Sequence, residues 1–268
     1  PHIGFVSPRS NHATICSLPQ QPEFRGAEPY QAWNQFQQLS RFLPGWHFVP
    51  TAVGFCLFIR FEILEELGLL DEVYSPGYNE ENDLIMRANR CGYRAALANH
   101  AFVYHLGGAS FGASPTAKAD LEEKNAAVLV GRYPEYATGI ARYVESTRYR
   151  AEGMLTALLP DGEGRRSLVF DFSSWLPCYN GTFEAGKQIL RRTASAWTDA
   201  FRVHVMAPQE AARFHGLHQV DGVTLVDPGA DRVFALAFRF GQPFELAQVL
   251  RMSRMAVVNV YAMHDPIA

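Results

Sequence analysis

No apolar run in this chain approaches the roughly 20 residues needed to cross a bilayer, so the sequence contains no candidate membrane-spanning helix. Charge of one sign is also lacking. Lys and Arg number 24 against 27 Asp and Glu, and the net −3 gives no long-range pull on nucleic acid or anionic lipid. Cysteine is sparse. Cys16, Cys56, Cys91 and Cys178 stand far apart with no Cys-x-x-Cys pair, which reads as reduced, mostly buried thiols of a cytosolic protein. The N-terminus has neither a basic stretch nor a signal-like apolar core. It also lacks an initiating Met, and Pro1-His2-Ile3-Gly4-Phe5-Val6 already reads as a strand, as expected of a segment from the middle of a longer gene product. No internal repeat or low-complexity tract is present.

The composition is that of a globular chain: 48% hydrophobic and 19% charged residues over 268 positions suffice for two modest domains with cores of their own. Trp33, Phe36, Leu39 and Phe42 recur every third position, predicting a helix over 30–43 entered by Pro29. The apolar run 52–59 suits a strand buried on both faces. A short helix over 61–67 stops at Gly68. Leu84, Ile85, Ala88 and Cys91 mark one face of a further helix ended by Gly92, with a strand over 97–104 after it. Another helix carries Leu121, Ala126, Leu129 and Val130 and ends at Pro134. Pro160-Asp161-Gly162-Glu163-Gly164 is the best linker in the chain. Beyond it, five short apolar strands (167–172, 203–207, 223–226, 234–238 and 255–261) alternate with helical segments, clearest over 183–197. That alternation implies a parallel sheet with helices on both sides. The expected class is α/β, in two units over 1–150 and 167–268 joined by a linker over 151–166.

The richest chemistry lies in Gly77-Tyr78-Asn79-Glu80-Glu81-Asn82-Asp83-Leu84-Ile85-Met86-Arg87. Three carboxylates crowd a helix start, where the helix dipole favours negative charge, and Asp83 and Arg87 are spaced to pair. An ordinary acidic first turn has the same composition and is the favoured reading on spacing alone, which does not establish a site.

The surrounding order of motifs reverses that preference. Gly54-Phe55-Cys56, Arg60, Gly68-Leu69-Leu70-Asp71-Glu72, Glu80-Glu81-Asn82-Asp83-Leu84, Arg87, Gly92-Tyr93, His105 and Ser110-Phe111 follow one another as in the second half of an inverting family 2 glycosyltransferase of GT-A fold. The opening Gly4-Phe5-Val6-Ser7-Pro8-Arg9-Ser10-Asn11 resembles the same family, and the resemblance covers about residues 1–150. It implies the acceptor-side, C-terminal part of a Rossmann-like mixed-sheet domain. Such an enzyme needs a carboxylate to take the acceptor proton and positive charge on the departing nucleoside diphosphate, usually a divalent metal, Mn or Mg. The resemblance makes Glu81 the catalytic base, at a position where the family more often has Asp. Glu80 points about 100° away on a helix, so the two cannot face one acceptor. Asp83 and Arg87 read as scaffolding, with an acceptor contact open to Asp83. His105 matches a position that contacts metal or diphosphate; a satisfied histidine at a strand end is the competing reading. Trp46 and His47 are open between flooring a sugar pocket and simple packing. The family's nucleotide-binding βαβ unit and its Asp-x-Asp motif do not occur in this sequence, so His105 is the one metal candidate and the chain is expected to hold a nucleotide-sugar poorly.

The second unit resembles the N-terminal, parallel-sheet Rossmann-like half of a GT-B glycosyltransferase of family 4. The resemblance rests on Leu168-Val169-Phe170-Asp171-Phe172-Ser173, on Pro177-Cys178-Tyr179-Asn180-Gly181-Thr182, on Phe238-Arg239-Phe240-Gly241-Gln242-Pro243-Phe244 and on Met263-His264-Asp265-Pro266-Ile267. It implies that the loop with Asn180 and Gly181 helps seat the acceptor. Acceptor-binding candidates are therefore Glu80, Asp83 and Trp46 in the first unit, and Asn180 and Gly181 in the second. A nicotinamide reading is weak, since the first turn lacks Gly-x-Gly-x-x-Gly. The expectation is a fragment of a two-headed cytoplasmic transferase. It would use a nucleotide-sugar donor on a growing surface polysaccharide such as O-antigen, or on a lipid-linked sugar, touching the inner face of the membrane only through that acceptor. The rival is a non-catalytic sugar- or protein-binding scaffold derived from transferase domains. Without the nucleotide half, buried strands would have an open edge, so self-association or a companion upstream fragment is expected.

Overall fold

The structure, a computed structural model, describes residues 2–106, 115–230, 232–241 and 245–262. Ser110-Phe111, Gln242-Pro243-Phe244 and Met263-His264-Asp265-Pro266-Ile267 lie outside the described residues. The chain forms two compact units, Pro1–Gly153 and Met154–Ala268.

The first unit runs β1 (His2–Arg9), α1 (Pro29–Ser40), β2 (Trp46–Val49), β3 (Phe58–Ile59), α2 (Phe61–Leu67), α3 (Glu80–Arg90), β4 (Tyr93–Phe102), α4 (Pro115–Arg132), α5 (Glu135–Val144) and α6 (Thr147–Met154). Its sheet is mixed, in the order β2-β4-β1-β3, with β1 and β4 parallel and both outer strands antiparallel to their neighbours. Leu84, Ile85 and Ala88 of α3 bury one stripe of that helix against Phe5, Val49, Ala95 and Leu97 of the sheet, the expected outcome of apolar residues recurring at helical spacing.

The run over 52–59 departs from the expected strand: only Phe58–Ile59 joins the sheet, pairing antiparallel with Val6 and Phe5. The side chains are buried only in part: Ala52 is in the core, Val53, Phe55 and Leu57 pack against it half-buried, and Phe58 is exposed. The backbone over 52–57 serves side chains instead of a ladder. Ser7 Oγ bonds both N and O of Val53, and Glu81 Oε1 accepts from the Gly54 N–H at 3.3 Å. An apolar run does not by itself report extended pairing. The thiols differ from expectation as well. Cys16 alone is buried, Cys56 is half-buried, and Cys91 and Cys178 are exposed because they sit in the chain segments just beyond α3 and beyond the first strand of the second unit.

The last helix of the first unit is held by a buried polar network. Arg9, with no exposure, donates to Asn99 Oδ1 at 2.7 and 2.9 Å and to Glu152 Oε2 at 2.7 Å. Asn99 Nδ2 meets His47 Nδ1 at 3.1 Å, and His47 Nε2 meets the Tyr143 hydroxyl at 2.9 Å. Burial, then the charges of Arg9 and Arg148, lower the His47 pKa to about 4, so the ring is neutral at pH 7. This network, with Gln21 Nε2 donating to Gly153 O at 2.8 Å, carries the unit past residue 150.

The second unit runs β5 (Arg166–Asp171), α7 (Gly181–Ala196), β6 (Phe201–Met206), α8 (Gln209–Phe214), β7 (Val223–Val226), β8 (Phe234–Phe240), α9 (Leu246–Met255) and β9 (Ala256–Ala262). All its strands are parallel, in the order β7-β6-β5-β8-β9. Leu190 of α7 and Ala211 of α8 pack with Leu168, Phe170 and Val205, whereas Met252 and Met255 of α9 pack with Val169 and Ala237. Alternate residues of a strand face opposite sides, so helices cover both faces, as the strand–helix alternation predicts. The molecule is thus α/β, with a mixed sheet in one unit and a Rossmann-like all-parallel sheet in the other. The expected linker over 151–166 is divided at Gly153, and its larger part belongs to the second unit: Leu155–Leu158 forms a 3₁₀ turn against β5, β8 and β9, and Leu158 O accepts from Arg166 Nε at 2.9 Å. Asp161 closes the turn after it, accepting from the N–H groups of Glu163 and Arg165 at 3.0 Å each and pairing with Arg202 at 2.8 Å.

Asn125 of α4 reaches the segment before α3, its amide nitrogen lying 2.7–3.1 Å from the carbonyls of Tyr74, Gly77 and Tyr78. Replacing it with Ala strands several buried acceptors at about 1–3 kcal/mol each when left unmade. Asn125→Ala is expected to lower the first unit's stability by about 2–3 kcal/mol in urea titration followed by aromatic fluorescence; a loss under about 0.5 kcal/mol contradicts the clamp.

Candidate functional site

Two consecutive non-glycine residues, Tyr78 (φ 72°) and Asn79 (φ 77°), adopt left-handed backbone immediately before α3. Each such residue costs about 1–3 kcal/mol unless its surroundings impose it. Here they do. Asn125 holds the carbonyls of Gly77 and Tyr78. Asn79 O accepts from the Asp83 N–H at 2.9 Å, and Asn79 Oδ1 accepts from Asn82 Nδ2 at 3.1 Å. Asn82 in turn accepts from Thr51 Oγ1 at 2.6 Å. The helix start is therefore stitched both to α4 and to the loop over 50–57.

Glu81 projects from this start onto that loop. An added Cβ at Gly54 would stand 3.4 Å from the Glu81 carboxyl carbon, so the carboxylate lies against the bare α-carbon. Among the described residues Glu81 forms no ion pair. Burial raises its pKa above the ordinary value, backbone N–H groups oppose this, and the neighbouring charge of Glu80 adds to the rise. Glu80 is half-buried, with Oε2 out of solvent and lacking a hydrogen-bond partner. The pair differs sharply from Asp83, one turn away.

Asp83 is 1% exposed, and its oxygens are consumed inside the protein. Oδ2 accepts from Arg87 Nε at 2.9 Å, while Oδ1 accepts from Arg132 Nη1 at 2.9 Å and the Tyr74 hydroxyl at 3.2 Å. Arg132 also pairs with Asp71 at 2.8 Å, and Arg87 donates to the carbonyls of Leu67 and Leu69. With both oxygens so engaged, Asp83 anchors α3.

His105 follows β4 and is fixed on three sides. Asn11 brackets its backbone, accepting from the N–H at 2.8 Å and donating to the carbonyl at 3.1 Å. Phe55 stacks on its ring at 5.4 Å and 25°. Nδ1 lies 2.6 Å from His12 O. A carbonyl only accepts, so Nδ1 carries a proton and Nε2 is the ring atom left for other contacts. Gly54 touches Glu81 and the next residue, Phe55, touches His105, so one turn of chain gathers the two candidates. A divalent cation needs several oxygen or nitrogen ligands, and one imidazole does not fit that need. Among the described residues no group of three or more His, Cys, Asp or Glu side chains could hold a metal ion.

Trp46 is not brought to this site. The register pairs His47 with Leu97 and Val49 with Ala95, on the face that α3 covers. Side chains alternate along a strand, which puts Trp46 and Phe48 on the opposite face, edge to face at 5.2 Å. His47 is 7% exposed, within the Arg9–Asn99–Tyr143 network. In the second unit Asn180 Oδ1 caps α7, accepting from the Phe183 N–H at 2.8 Å, and Gly181 is the first helical residue. The sequence gives little sign of Thr51, Asn82, Asn125 or Arg132, whose parts depend on contacts 31 to 51 residues away. A polar Asn125 among the apolar positions of its helix is the one local signal. No family model, no curated protein and no solved structure matches this chain.

Proposed function

We propose that the first unit is the acceptor-side part of an inverting glycosyltransferase of family 2, GT-A type, with Glu81 as its general base, and that the second is the N-terminal half of a family 4, GT-B domain. The observation that carries this reading is the state of Glu81: a half-buried carboxylate with a raised pKa and, among the described residues, no cationic partner. A carboxylate kept only for stability is paired, as Asp83 is. An unpaired one with raised proton affinity is suited to take a proton. In the proposed step the acceptor hydroxyl attacks the anomeric carbon of a nucleotide-sugar and its proton passes to Glu81. The bond from that carbon to the diphosphate breaks on the opposite face, inverting the centre. His105, held by Phe55 and Asn11, stands beside the loop that also carries the Glu81 contact. The residues present do not build a divalent-metal site, and no step is routed through one.

The acceptor class is a growing polysaccharide or a lipid-linked sugar, at the cytoplasmic face of a membrane reached only through that acceptor. Among the described residues no helix is long and apolar enough to cross a membrane. In a parent protein that also carries the nucleotide-binding half, Glu81→Gln is expected to lower transfer about 10²–10⁴-fold, the size of a lost general base. The remaining activity should also lose the acidic limb of its pH profile, which in the unaltered enzyme lies above the ordinary Glu range. Because the raised folded-state pKa makes ionised Glu81 a cost above that pKa, the variant should be no less stable at pH 7. Near-normal transfer removes Glu81 from the role.

Self-association belongs to the same reading. Phe58 on the two-residue outer strand β3 and Phe61 just beyond it are each 67% exposed. Open edges with large apolar side chains pair or aggregate. Sedimentation velocity on the isolated chain should show dimers or larger species that dissociate in the Phe58→Glu/Phe61→Glu double variant; a monomer at every concentration contradicts this.

A further inference from the structure

The second unit has a feature that the glycosyltransferase reading does not use and that does not depend on it. In its sheet β5 and β8 are neighbours, and the helices that follow them leave on opposite faces: α7 packs with Leu168 and Phe170, α9 with Val169 and Ala237. Such a reversal opens a crevice beyond the carboxyl ends of the two strands, where doubly wound sheets bind ligands. Asp171, the last residue of β5, stands there in register with Arg239 of β8.

Two guanidinium groups meet this single carboxylate. Arg239 Nη1 donates to Asp171 Oδ2 at 2.7 Å, and Arg251 of α9 donates to Oδ1 and Oδ2 at 2.9 Å each. One arginine neutralises Asp171; among the described residues no further carboxylate pairs with the second, which leaves positive charge in excess. Donors are left over too. Arg239 is 3% exposed, yet its Nε is buried without an acceptor. Among the described residues Arg251 Nη1 reaches only the weakly accepting Met206 Sδ, at 3.7 Å. Two hydroxyls complete the cluster: Ser173 Oγ against Arg251, and Ser174 Oγ 3.0 Å from Arg239 Nη2. The Arg239 side chain is buried while that of Arg251 is one-third exposed, so the charge is fixed from below and open on one side. Excess positive charge with spare planar N–H donors and hydroxyls suits a phosphate group, which accepts several charge-assisted bonds at once. We infer that the second unit binds the phosphate or diphosphate of a small soluble molecule at the β5/β8 crevice, through Arg251 and Arg239.

Isothermal titration of the full chain with sodium pyrophosphate, against sodium chloride at matched ionic strength, tests this. Saturable binding is expected, weakened at least about tenfold in Arg251→Gln, as for a lost charge-assisted bond, and partly restored in Arg251→Lys. Arg251→Gln leaves Asp171 its Arg239 partner, and thermal melting checks its fold. A second measurement needs no variant: phenylglyoxal labelling of the unaltered chain, mapped by mass spectrometry, should be slowed by pyrophosphate at Arg251 and not at Arg213 of α8. Flotation with phosphatidylglycerol vesicles separates the sources of phosphate. No saturable heat, equal affinity in Arg251→Gln, unprotected Arg251, or vesicle binding through Arg251 in the absence of pyrophosphate binding would each overturn the inference.

Discussion

The buried Asp83 carboxylate and the two guanidinium groups on it set the geometry of the first unit's site. Arg87 joins Asp83 from the next turn of α3 and carries the helix onto the carbonyls of Leu67 and Leu69. Arg132 joins it from the end of α4 and extends to Asp71. Asp83 is 1% exposed, so α3 cannot rotate or slide without leaving a buried carboxylate short of its partners. Asn125, two turns back along α4, fixes the left-handed residues that precede the helix. With both ends of the entry segment held, Glu81 has one place to go: the loop at Gly54.

That division of labour explains why neighbouring acids on one helix behave oppositely. Asp83 faces arginines and is spent on structure. Glu81 faces a backbone N–H and an apolar loop, and Glu80 adds repulsion. The helix dipole favours all three in the same way, so the dipole does not distinguish them. The partners contributed by α4 and by the loop over 50–57 do.

Much of the architecture is legible in the sequence because it rests on local pattern. The helix Phe61–Leu67 with its stop at Gly68, and the strand Val223–Val226, stand where periodicity and glycine put them. The alternation after residue 160 yields an all-parallel sheet. What was illegible rests on distant partners. Residues 52–57 are apolar enough for a strand, but Ser7 and Glu81 claim their backbone. Trp46 is a plausible sugar platform by type, yet strand alternation turns it to the far face. Asp171 in the sequence is a lone acid; only the parallel register with β8 and the return of α9 give it two arginines. The close of the first unit likewise depends on Glu152 meeting Arg9, 143 residues earlier.

The account turns on Glu81 being an unpaired carboxylate of raised proton affinity, and that is a property of one group. Carbon-13 NMR titration of the side-chain carboxyl, with selectively labelled glutamate and Glu81→Gln for assignment, reads it directly. A Glu81 midpoint is expected above the ordinary value of about 4.3, above that of Glu62, held low by donation from Arg60, and above that of Glu135, held low by its own backbone N–H and then by Arg90. A Glu81 midpoint at or below theirs would contradict it.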